Sequence, residues 1–122
     1  MPEEHWSDFR EFGPLSILDY RVGEKGGNEW HRREILRRAF EGTFPWKVTR
    51  ELSEGELAEW GEPKSRTRFE KMINSLASFS SNASSRKNAR SYRDAIREWQ
   101  SDARWLSGEY GSLFPGALRV DL

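Results

Sequence analysis

The feature that most constrains this chain is the spacing of its apolar residues in the second half. Tyr92, Ala95, Ile96, Trp99, Ala103, Leu106 and Tyr110 recur at steps of three and four, with Arg90, Arg93, Asp94 and Arg97 mostly outside the row. Phe69, Met72, Ile73, Leu76 and Phe79 or Ser80 do the same after the capping residue Ser65. Such spacing lays one apolar stripe along a helix. The pattern predicts a helix after Ser65, a polar break at "SSNASSRKN", and a longest helix over Lys87–Tyr110. Two long helices with a short connection pack as an antiparallel hairpin.

The first half gives shorter signals of the same kind. Asn28 is suited to cap "EWHRREILRRAF", on which Trp30, Ile35, Leu36, Ala39 and Phe40 share one side, and Gly42 stops it. In "SEGELAEWG", Ser53 and Glu56 have capping-box spacing, Leu57 and Trp60 form the inner edge, and Gly61 with Pro63 ends the helix. "SDFREF" and "PLSILDY" each read as a turn or two of helix. No alternating strand pattern and no repeat is present. The expected fold is all-α: a compact bundle of four to six helices, one domain over 1–122, with 1–14 and 112–122 as flanks.

Only 35% of the 122 residues are hydrophobic, but six Trp, seven Phe and three Tyr supply enough bulk for a Trp-rich core. Trp99, central in the long stripe, is expected to be buried. The chain has no cysteine, hence no disulfide framework and no thiolate metal site. "MPEEHWSDF" is acidic where a signal peptide is basic and then apolar, and no 18-residue apolar run occurs. The expectation is a soluble cytoplasmic protein with no membrane partner.

"GEKGGN", before the helix at Asn28, has the look of a phosphate-binding loop. A Walker loop needs lysine after its last glycine and then Ser or Thr; here Lys25 precedes the glycine pair, and Asn28 and Glu29 follow it. Glu24 and Glu29 also repel an anion at that helix start. The stretch reads as a capped turn, with positive φ expected at Gly26 or Gly27. His31 and Glu34 lie one turn apart, but two ligands do not make a metal site. Glu62 and Lys64 have an acid-x-lysine order interrupted by Pro63, and no Ser, His and Asp triad can be assembled. The reading is therefore non-enzymatic: no catalytic residue, no cofactor and no metal.

Charge carries the remaining signal. Twenty bases balance twenty acids, yet residues 63–97 hold nine bases and two acids, and residues 51–62 hold five acids and no base. Arg86, Lys87, Arg90, Arg93 and Arg97 line one predicted helix, and 86, 90, 93 and 97 recur at four, three and four. Arg32, Arg33, Arg37 and Arg38 form two doublets on another. Ser80, Ser81, Asn82, Ser84, Ser85 and Asn88 add donors suited to phosphate oxygens. The commoner fate of such a run is a solvated outer face, here paired with Glu51, Glu54, Glu56, Glu59 and Glu62. Two functional readings follow: a module gripping DNA or RNA backbone with weak sequence specificity, or an interaction or regulatory subunit whose cations meet an acidic protein partner.

"YRVGEKG" with "RREIL", "LAEWGEPKS" with "RFEKM", "NASSRKNAR" and "AIREWQSDARWL" together resemble a helical domain family of uncharacterised bacterial proteins, from about Leu15 to Tyr110. Asp19 stands where that pattern has glycine, and the paired tyrosines of its end are absent from "GEYGSLFPGALRVDL". The resemblance implies a helical fold and a bacterial, phage-defence or mobile-element setting; it carries no assigned activity.

Overall fold

Local capping chemistry sets three of the helix starts. The computed structural model describes residues 13–23 and 26–117. Six α-helices occur among them: α1 (Pro14–Ile17), α2 (Glu29–Glu41), α3 (Trp46–Thr49), α4 (Glu54–Trp60), α5 (Arg66–Ser84) and α6 (Arg93–Tyr110), with 3-10 turns at Ala89–Tyr92 and Gly111–Leu113. There is no strand among the described residues. The Asn28 side chain accepts from the His31 amide at 2.8 Å, so α2 begins where the sequence places it. Ser53 and Glu56 close both halves of a capping box on α4. Ser65 accepts from the Arg68 amide to start α5.

The connection between the two long helices departs from expectation. Phe79, Ser80 and Ala83 continue the buried face of α5, so that helix runs through the serines to Ser84 and is the longer of the two. α6 begins at Arg93 rather than Lys87, after a 3-10 turn whose N-cap, Asn88, makes no side-chain cap bond. The segment from 85 to 91 offers little for a helix to bury, and that is sufficient reason for the break.

The core lies between α5 and α6, with α2 laid alongside. At one end Phe40 of α2 packs 4.2 Å from the Tyr110 ring and edge-on to Phe69, which meets Phe114 at 5.4 Å. At the other end Phe79 meets Trp99 edge-on at 5.8 Å. Gln100 of α6 donates to Ser80 of α5, while Arg66 at the start of α5 reaches the Gly116 carbonyl beyond the end of α6. Trp60 and Trp99 are buried and Trp105 is partly so, but Trp30 and Trp46 are 72% and 74% exposed. The core is thus built on Phe, Leu and Tyr more than on Trp. Trp30, expected on the inner side of α2, lies outside the core, while Arg32, nearly opposite it around the helix, is buried. "SDFREF" and Trp6 lie outside the described residues.

A buried arginine joins three helix ends. Arg68, at the start of α5, donates to the carbonyls of Trp60, Gly61, Gly42 and, through a short bond, Ala39. These carbonyls close α2 and α4, where no further residue of the helix can donate to them. Burial lowers the Arg68 pKa, partly opposed by Glu62. Its guanidinium also stacks 4.1 Å from the Phe44 ring centre.

Candidate nucleic-acid interface

Between α2 and α6 a second buried charge network fixes the molecule's basic residues. Asp102 is fully buried and accepts from Tyr20 Oη at 2.7 Å, Arg32 Nε at 2.8 Å and Arg32 Nη2 at 3.1 Å. Arg33 Nε approaches the same carboxylate at 3.5 Å. Burial acts to lower the Arg32 pKa, but Asp102, and then Glu98 at 3.4 Å, outweigh it and hold the guanidinium above its ordinary value. The Tyr20 hydroxyl is pushed well above its ordinary pKa, first by burial and then by the Asp102 charge.

The glycine-rich turn is tied to this network. The Gly23 amide donates to Glu98 Oε1 at 2.8 Å, and Arg32 Nη1 donates to the Gly27 carbonyl at 3.0 Å. A loop amide that could face a phosphate is thus occupied by the protein's own carboxylate. Positive φ falls on Gly23, at 90°, and not on Gly26 or Gly27. Gly26 needs glycine for a different reason: a Cβ there would lie 2.5 Å from the Arg21 carbonyl oxygen.

This arrangement corrects the reading of the α2 cations. Arg32 is buried against Asp102 and cannot reach a phosphate. Arg33 bonds Ser101, pairs with Glu29 and lies over the Trp105 ring. Arg37 covers the same ring and pairs with Glu34 and Glu109. Only Arg38 is largely exposed, and it too pairs with Glu34. The sequence does carry a signal for the buried charges. Arg32 precedes Leu36 by four, Arg68 precedes Met72 by four, and Asp102 falls between Trp99 and Leu106 at steps of three and four. Each charge therefore sits inside an apolar stripe.

The cations from 86 to 97 are placed differently. They do not form a stripe on one helix: Arg86 and Lys87 lie in the connection, Arg90 in the 3-10 turn, and Arg93 and Arg97 on the first two turns of α6. Lys87, Arg90, Arg93 and Arg97 are exposed. Arg97 pairs with Asp94 at 2.8 Å and Arg86 lies over Tyr92, whereas no ion pair among the described residues involves Lys87, Arg90 or Arg93. Of the acids at 51–62, Glu59 pairs with Lys71 and Glu51 with Arg50, so these pairs leave the 86–97 cluster alone. The neighbouring serines are less available than their sequence suggests. Ser80 is buried, and Ser84 and Ser85 donate to carbonyls of α5. Ser81, Asn82 and Asn88 are exposed.

A groove of about 580 Å³ opens elsewhere, beside α2 and α3. Leu18, Ile35, Phe44 and Pro45 line it together with Arg37, Arg38 and Lys47 and the acids Glu34 and Glu41. Among the described residues no cluster of His, Asp or Glu is placed to hold a metal ion, and no helix is long and apolar enough to cross a membrane. No protein-family model matches the chain, and no curated protein or solved structure is significantly similar to it.

Proposed function

We propose that this chain is a non-enzymatic nucleic-acid-associated module that grips the phosphate backbone through Arg86, Lys87, Arg90, Arg93 and Arg97, in an antiparallel hairpin formed by α5 and α6. The observation that carries the reading is the placement of these five cations, with Asp94 the one acid among them, around the start of α6. That end of a helix has positive potential, and each cation there costs about 0.3–1 kcal/mol where an acid would gain as much. The α6 start also lacks a side-chain cap. A phosphate chain relieves this repulsion, and Arg and Lys on phosphates position without reading bases. The resemblance to bacterial helical domains supports a bacterial setting for this role.

The test is fluorescence anisotropy with DNA and RNA of unrelated sequences across a salt series. Arg90→Ala with Arg93→Ala should weaken binding to all of them and make the salt slope on duplex DNA shallower by roughly two. Wild-type affinity weaker than about 10⁻⁴ M near physiological salt overturns the reading. The second reading, an adaptor for an acidic protein partner, is favoured by the groove beside α3 and by the exposed Trp46 next to Lys47. Capture of a protein that survives nuclease and is lost on Trp46→Ala would support it.

A further inference from the structure

Trp30, like Trp46, is a large aromatic left outside the core. A large indole, 72% exposed and with no ring, ion or hydrogen-bond partner among the described residues, stands on the first turn of α2. An isolated exposed aromatic needs no explanation by itself; its neighbours supply one.

The contacts between α2 and α6 advance in the same direction along both helices. Arg33 meets Ser101, Arg37 meets Trp105 and Glu109, and Glu41 accepts from Tyr110. Stepping back one turn, about 5 Å, from Arg33 brings the chain to Trp30, and the same step along α6 from Ser101 brings it to Arg97. Arg93 lies one turn further. Trp30 and Arg37 are seven residues apart, so they share nearly one angular position on α2. Arg37 faces α6, and Trp30 therefore stands on the α6 side. An exposed aromatic ring is thus level with the cations assigned to phosphate binding. The acids nearby are already engaged: Asp94 by Arg97, Glu29 by Arg33, and Glu98 by Arg32 and the Gly23 amide.

We infer that Trp30 is a stacking platform for an unpaired base whose flanking phosphates lie on Arg93 and Arg97, so that the site takes single-stranded nucleic acid in preference to duplex. This rests on the phosphate-binding reading above and names its substrate class. A cationic track beside an aromatic face is the combination that binds single strands without sequence preference, because every base has a face to stack while a duplex keeps its bases paired and out of reach.

The test uses the full chain with oligothymidylate, oligouridylate and a duplex of equal length, at one salt concentration. Trp30→Ala should weaken binding to one or both single strands by roughly 5- to 150-fold, the equivalent of one stacked base. Trp30→Phe should retain most of the affinity, and duplex binding should be unchanged by either. Because Trp30 is exposed, both variants should keep the wild-type helical circular dichroism and melting temperature. Loss on oligouridylate alone would identify RNA as the strand, and loss on oligothymidylate alone DNA. If Trp30→Ala leaves single-strand affinity within twofold while Arg90→Ala with Arg93→Ala reduces it, the stacking inference is wrong and the phosphate reading stands. If the wild type binds none of the three, both fall. Equal losses on duplex and single strands would overturn the single-strand preference.

Discussion

Removing the Asp102 carboxylate tests the core network most severely. In Asp102→Ala, the Tyr20 hydroxyl loses its acceptor, and Arg32 loses two bonds of 2.8 and 3.1 Å while its guanidinium stays buried. Breaking one side of a buried pair costs about 3–5 kcal/mol, since the surviving charge remains desolvated. Glu98 at 3.4 Å and the Gly27 carbonyl still serve Arg32, which lowers the cost. The orphaned Tyr20 hydroxyl adds about 1–3 kcal/mol. The net expectation is about 4 kcal/mol, a large share of the roughly 5–15 kcal/mol available to a domain. Urea unfolding followed by circular dichroism should show the midpoint falling by about 2 M for a slope near 2 kcal/mol/M. The triple change Tyr20→Phe, Arg32→Met and Asp102→Leu removes every member together and should recover most of the loss. A loss below about 1 kcal/mol for Asp102→Ala, or a triple variant no better than the single one, would refute the account of a desolvated, mutually dependent network.

Two of the three buried tyrosines predict a loss of stability in base. Tyr20 and Tyr110 have folded pKa values raised above the ordinary value of 10.0, in each case first by burial and then by a carboxylate, Asp102 or Glu41. Above pH 10 the unfolded chain releases these protons and the folded chain keeps them, so stability should fall as pH rises; Tyr20→Phe and Tyr110→Phe should each remove about one proton from the slope of unfolding free energy against pH. Trp99→Ala should cost about 3–5 kcal/mol in the same unfolding assay, and unchanged stability would place its stripe at the surface. Gly108→Ala, inside α6 with nothing within 4 Å of the new carbon, should raise stability by about 0.5–1 kcal/mol, whereas Gly26→Ala, 2.5 Å from the Arg21 carbonyl, should lower it. Lys64, held at φ 62°, should gain up to about 1 kcal/mol on replacement by Gly, readable as a rise in melting temperature.

Helix capping and helical periodicity were legible in the sequence because both are local. Asn28 with His31, Ser53 with Glu56 and Ser65 with Arg68 settle three helix starts within four residues each, and the apolar steps along 69–79 and 92–110 give each helix its inner face. What the cations do is decided at longer range. Arg32 and Arg38 are alike in sequence, but the first meets Asp102 seventy residues away and the second points outward. Arg68 gathers carbonyls from two other helices. Trp30 and Trp99 differ as sharply, and the level Trp30 shares with Arg97 follows from the parallel run of α2 and α6. An amino-acid sequence alone determines which groups are charged or apolar and how often they recur along a helix. Only tertiary packing decides which of them lose their water, because desolvation depends on the neighbours that the other helices supply.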